Sequence, residues 1–298
     1  MVRLIGMIAF FLAALTAFDA FAHGPIHVRM DRVSKRIAES PLDAGLYVER
    51  ALLHREHGEL PEAQRDLEHS LTLQPDDPVA QTSLARVLLE RGSAAEALTR
   101  ATRVLTTEPT HPGARLVEAR ALVRTGEAEA AIASFDRLIA QLKRPSPDLI
   151  LERKQVVLTA DPLAKERALR GLERGIGKLG LLVTLALPAI ELERELGRVD
   201  RALKKVAGLR KQSGRPTLWW VLESEILVEA KRFEAAARVA KTARAHLERE
   251  TCRATRANVR LTQRLAEVEK SLRLASLPSE SPKTPSKKTP APSRQEVQ

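Results

Sequence analysis

The chain has 298 residues and a formal charge of +11, from 49 basic and 38 acidic side chains, so it can build a substantial core or an extended array. Hydrophobic residues make up 44% but aromatics only 3%, which leaves too few aromatic side chains for a β-sandwich; Ala, Leu, Arg and Glu, all strong helix formers, dominate instead. The single cysteine, Cys252, excludes an intramolecular disulfide, and the basic residues are spread along the chain with no interleaved aromatic platform, which argues against nucleic acid and for a solvated helical surface favouring acidic partners.

Residues 1–22 read as an address. Arg3 is a short positive region, Leu4 to Phe18 is an apolar run of 15 residues, and Ala20-Phe21-Ala22 supplies small residues where a signal peptidase reads. The run is short for a spanning helix, which needs about 20 residues. Cleavage after Ala22 is expected, leaving His23 first, no stable membrane span, and an exported protein, periplasmic or secreted. Retention as an uncleaved anchor is the alternative. Residues 23–43 form a lead-in segment.

From residue 44 the chain repeats itself with a shift of 34. Gly58, Gly92 and Gly126 coincide, as do Ala63, Ala97 and Ala131, and Ala51, Ala85 and Ala119. Leu67, Ala101 and Phe135 share a further column, and Pro75 and Pro109 another. Each column has a physical reason. Apolar residues at helical spacing precede each glycine, which ends that helix in a left-handed turn free of a Cβ clash. The alanines let a second helix approach the first, and the proline ends that second helix. One such hairpin cannot bury its apolar face alone; stacked neighbours bury it for one another.

The remainder drifts from this pattern. Three degenerate hairpins are expected over 146–250: Asp148–Leu158 with Leu163–Leu179, Thr184–Leu196 with Val199–Lys211, and Leu218–Ala230 with Phe233–Leu247. Ala202 and Ala236 restore the spacing of 34. A charged helix over 251–275 suits a terminal cap, and 276–298, rich in Pro, Ser and Lys, cannot bury enough apolar surface to order itself.

This pattern resembles the tetratricopeptide repeat. Tyr47, Ala51, Gly58, Ala63, Leu67 and Pro75 match it in the first unit; Leu84, Ala85, Gly92, Ala97, Ala101 and Pro109 in the second; Ala119, Gly126, Ala131 and Phe135 in the third, over 44–145. The third unit lacks the closing proline in register, with Pro145 and Pro147 coming later. The resemblance implies an all-α, right-handed solenoid of antiparallel hairpins with a C-terminal capping helix. It also implies a groove lined by first helices that holds a partner segment, and hence a non-enzymatic scaffold or assembly factor, placed by the signal segment in the cell envelope. Carried over residue by residue, the groove comprises Leu52, Arg55, Arg86, Leu89, Arg120, Val123 and Arg124. Its arginines, interleaved with aliphatic residues, suit a protein or peptide partner with acidic and apolar side chains. The family's carboxylate clamp is not expected, because Glu49, Ser83 and Glu118 stand where its asparagine would.

No phosphate-binding loop, dinucleotide fingerprint, nucleophile elbow or HExxH metal motif is present, so neither catalysis nor a cofactor is expected. His54 and His57 share a helix face near His69, and His23 would offer an amine beside an imidazole; together these are the candidates for a metal-handling alternative. Trp220 falls where the repeat packs a large side chain, which leaves Trp219 as a candidate outward anchor for a partner.

Overall fold

The structure is a computed structural model that describes residues 26–250 and 255–276. The expected signal segment, His23, Cys252 and residues 277–298 lie outside the described residues. Every regular element among the described residues is an α-helix, and successive helices pack against one another over residues 44–179 and over residues 199–275, as hairpins of an all-α solenoid. Contacts divide the chain into two units, Met1–Leu192 and Glu193–Gln298.

The first unit starts with α1 (26–39). Hairpins follow: α2 (Ala44–His57) with α3 (Leu60–Leu73), α4 (Pro78–Glu90) with α5 (Ala94–Thr107), α6 (Pro112–Thr125) with α7 (Ala128–Gln141), and α8 (Pro147–Ala160) with α9 (Lys165–Leu179). First helices also touch directly, α2 on α4 and α4 on α6. The next helix, α10 (Val183–Glu195), runs through the boundary between the units.

The repeat spacing fixes each helix end. Asp43, Asp77 and His111 lie 34 apart, and each caps a first helix by accepting a backbone N–H, at 2.9 Å for Asp43 and 3.0 Å for His111 Nδ1. Four residues further on come Tyr47, Gln81 and Arg115. Three different polar groups there do one job: each donates to the carbonyl of the proline six residues earlier, Pro41, Pro75 and Pro109, at 3.0, 2.9 and 2.6 Å. All three side chains are buried, so the bond answers a donor and a carbonyl together. At the C-terminal end, Gly58, Gly92 and Gly126 take φ of 88°, 93° and 88°. The residue after each returns its N–H to the carbonyl five back, as in Glu59 to His54 at 2.8 Å.

The alanine columns Ala51, Ala85, Ala119 and Ala63, Ala97, Ala131 are fully buried, as are Leu67, Ala101 and Phe135. Alanine there sets the interhelical distance; a larger residue would overpack by about 1–3 kcal/mol. In α9, Ala168 keeps this column and two glycines bring the helix closer still. A Cβ on Gly175 would sit 2.6 Å from Ile150 Cδ1, and one on Gly171 would sit 2.5 Å from Arg153 Nη1. Arg153 is thereby buried, held by Asp136 at 3.0 Å through Nε and Nη2 and by the Arg167 carbonyl.

The second unit contains α11 (Val199–Gln212), α12 (Thr217–Glu229), α13 (Phe233–Glu250) and α14 (Arg256–Ala275). Helix α14 starts at Arg256 behind the N-cap Thr255. Val221, Ala240, Ala243, Leu247, Leu265 and Val268 form its core, with α12, α13 and α14 in mutual contact. The αL column continues here. Gly197 has φ of 71°, and 34 residues later Lys231 takes φ of 57°, the one positive-φ non-glycine among the described residues. Arg232 N–H still closes the turn on the Leu227 carbonyl at 2.8 Å.

Candidate functional site

The first-helix face of the first unit holds a cavity of about 290 Å³ between α4, α6 and α8. It gathers Arg86, Leu89, Arg120, Val123 and Arg124 from the sequence-predicted set. Leu52 is exposed on α2 outside it, and Arg55 reaches it only through Glu90. The helical period places these side chains, because residues three and four apart on α4 and α6 share one face.

The electrostatics differ from a plain arginine surface. Arg55 grips Glu90 with Nε at 2.9 Å and Nη2 at 2.7 Å, and Arg120 grips Glu152 with Nε at 2.9 Å and Nη2 at 3.0 Å. Both forks are two-point pairs between successive first helices, and both neutralise their arginine. Arg86 is the exception. It is half-buried, has no hydrogen bond or ion pair with another side chain among the described residues, and lies within the fields of Arg55 and Arg120. Burial first, then Arg55 and Arg120, pull its pKa below the usual arginine value, with Glu90 opposing; it stays charged. Arg124, exposed on the rim, also lacks an ion pair among the described residues. Glu152 escaped the sequence reading because it lies 32 residues from Arg120, off the repeat period.

The histidines do not converge. His54 and His57 each turn Nδ1 to Glu59, at 2.6 and 2.9 Å, and hold that carboxyl below its ordinary pKa, the His54 bond being the larger cause. His69 instead faces the Tyr47 ring, centroids 4.3 Å apart. No three His, Cys, Asp or Glu among the described residues are grouped as a metal ion requires, and His23 lies outside those residues.

Trp219 requires a correction. It is not an outward anchor: only 4% of it is exposed. Aligning Lys231 with Gly92 puts Trp219 in the column of Leu46, Ala80, Ala114 and Leu185, and every member of that column is buried. The spacing between Ala202 and Ala236 already carried that register. Trp220 is the partly open one, with the Arg210 guanidinium 3.6 Å over its ring and His246 stacked at 6.4 Å.

The second unit repeats the inter-helix Arg–Glu forks. Arg194 pairs with Glu229, and Arg264 holds Glu225 with Nε at 2.7 Å and Nη2 at 2.6 Å. No helix among the described residues is long and apolar enough to cross a membrane.

These features define a class: helical-hairpin repeat proteins whose first helices present a cavity-bearing, charge-patterned face. Residues 48–103 and 88–148 each match a family model of the tetratricopeptide repeat, so the protein carries tetratricopeptide repeats over 48–148. Among solved structures, PilW, a widely conserved type IV pilus biogenesis factor, is similar at 18% identity over 66% of this chain and 90% of that one, with a TM-score of 0.52. A tetratricopeptide repeat protein from Parabacteroides merdae is similar at 17% identity over 87% of this chain and 96% of that one, with a TM-score of 0.48. At 18% identity the likeness to PilW speaks for the fold alone. Comparison with curated protein sequences finds no match.

Proposed function

We propose that the protein is a non-enzymatic interaction scaffold of the cell envelope, whose first unit holds a partner segment bearing acidic and apolar side chains. The observation that carries this reading is Arg86. A charged guanidinium, half-buried in a cavity of about 290 Å³ and without a carboxylate of its own, leaves a donor fork unspent beside Leu89 and Val123. A partner carboxylate placed there gains a charge-assisted pair in a partly desolvated site, worth more than one on open surface. Arg55 and Arg120, already forked to Glu90 and Glu152, form fixed walls whose charge is spent within the protein. The envelope location rests on the leader-like residues 1–22.

A library of extended peptides displayed against the purified protein tests the reading. Enriched sequences should carry Asp or Glu next to aliphatic residues, and their binding should weaken with salt. Arg86→Glu should abolish that enrichment. Recovery of the same acidic peptides by Arg86→Glu would sink the proposal.

A further inference from the structure

The second unit contains a cavity that the partner-binding reading does not use. It measures about 390 Å³, lies where the first turns of α12 and α14 meet the loop before α12, and falls in the size range of small-ligand pockets, about 300–1,000 Å³. Its apolar wall is Leu218, Trp219 and Leu261. Its charged lining is Arg215, Arg260 and Arg264, and no acidic residue lines it among the described residues.

Three observations select the ligand. Arg264 is committed to Glu225, but the side chains of Arg215 and Arg260 have no ion pair or hydrogen bond among the described residues, so two cationic forks stand unneutralised at one opening. The first turns of two long helices contribute Thr217 and Ala257, and helix N-termini add positive potential in the same place. Trp219, 4% exposed, has an indole Nε1–H with no acceptor among the described residues, an unmet donor of a kind native interiors rarely keep. A bare inorganic anion would use the arginines and leave the apolar wall wet. A neutral apolar molecule would use the wall and leave the arginines unspent.

We infer that this cavity binds a small organic acid, a carboxylate carried on a compact apolar body. The carboxylate sits between Arg215 and Arg260, and the body lies against Leu218, Leu261 and the Trp219 ring. This inference stands apart from the partner segment assigned to the first unit and uses none of its residues.

The full chain can be tested directly. The only tryptophans are Trp219 and Trp220, so Trp220→Phe leaves Trp219 as the sole indole reporter within the cavity wall. Titration with 3-phenylpropionate should give a saturable change in its emission, and calorimetry on the unmutated chain should return the same Kd. The uncharged 3-phenylpropionamide should bind at least tenfold more weakly, as should inorganic phosphate. Arg260→Gln and Arg215→Gln, both at exposed positions and checked by circular dichroism for unchanged helicity, should each weaken the acid by about tenfold, as expected for loss of one charge-assisted pair. Equal binding of acid and amide, equal binding of phosphate, or unchanged affinity in both arginine variants would overturn the inference. So would a peptide ending in phenylalanine that binds while the free acid does not, because the occupant would then be a chain end rather than a small molecule.

Discussion

Helices α4 and α12 occupy the same place in their repeats and carry opposite charge at one outward position. Each ends on a left-handed residue, Gly92 or Lys231, and the groups six, three and two residues before it are Arg86, Leu89 and Glu90 in one, and Glu225, Val228 and Glu229 in the other. The aliphatic and the glutamate are kept; the central cation becomes a carboxylate. The same column holds Leu52 on α2, Arg120 on α6 and, still within the first unit, Glu191 on α10. The backbone answers only to columns that cap, bury or turn. It leaves the outward positions free, so one scaffold presents arginine in this column on α4 and α6 and glutamate on α10 and α12. The repeat therefore fixes where a partner can be met, and the outward column fixes its charge.

If both units are built from one scaffold, their shared inner column should respond alike. Phe135 and Val206 each lie nine residues after a turn glycine, and both are fully buried. Phe135→Ala should cost about 3–5 kcal/mol through lost burial and a residual cavity. Val206→Ala should cost about 2 kcal/mol, in proportion to the methyl groups removed. Thermal or urea unfolding followed by circular dichroism measures both. A cost below 1 kcal/mol at Val206 would break the equivalence.

The outward column is next in size. Glu225→Arg sets two guanidiniums against each other at the Arg264 position and should cost about 1–3 kcal/mol, because a half-buried fork loses its partner. Arg86→Glu should leave stability within about 0.5 kcal/mol, since Arg86 has no partner to lose among the described residues, while acidic-peptide affinity falls by more than tenfold. Urea titration and peptide binding separate the two. Equal stability losses would mean that the columns differ only in sign and not in what they are held by.

Much of this scaffold was legible in the sequence because its columns answer to the backbone. Glycine at 58, 92 and 126 is required by φ near 90°, and alanine at 51, 85 and 119 by helix approach. The same reasoning fails where a residue does the job without looking the part. Lys231 holds a glycine position, so the break between Leu218–Ala230 and Phe233–Leu247 was legible but its left-handed backbone was not, and Trp219 was assigned to the surface one column away from the buried one it belongs to. The seven groove residues could be placed on one face by period, and the cavity does collect five of them. What the period could not give is who neutralises whom: Glu152 lies 32 residues from Arg120 and Glu90 lies 35 from Arg55, separations set by side-chain reach rather than by repeat. The unspent charge on Arg86 emerges only once those pairs are known.

A smaller effect follows from Lys231. A lysine at φ of 57° is strained relative to glycine, though part of the gain from replacing it is offset by the freer unfolded chain. Lys231→Gly should raise stability by about 0.5–1 kcal/mol, and Gly92→Lys should lower it by about the same amount. Equilibrium unfolding of both variants checks the pair; a loss on Lys231→Gly would show that the second unit does not use this residue as the first uses its glycines.

The smallest effects lie in two glutamates that titrate in opposite directions. Glu59, in the first unit, is held below its ordinary pKa, chiefly by the hydrogen bond to His54. Its contribution is present above the unfolded carboxyl pKa and is lost as pH falls through the lower folded value. Glu223, in the second unit, is pushed above its ordinary pKa by burial, which outweighs its pairing with Arg210. Its contribution is complete below the unfolded pKa and is lost as pH rises through the folded value. Glu59→Gln should therefore flatten the acid limb of the stability profile, with its cost growing from pH 3 to pH 6. Glu223→Gln should cost most near pH 4 and become neutral or stabilising by pH 7, because a neutral amide avoids the desolvation that an ionised carboxylate pays there. Parallel slopes for the two variants, measured by urea midpoints across that range, would show that Arg210 controls Glu223 and that burial does not.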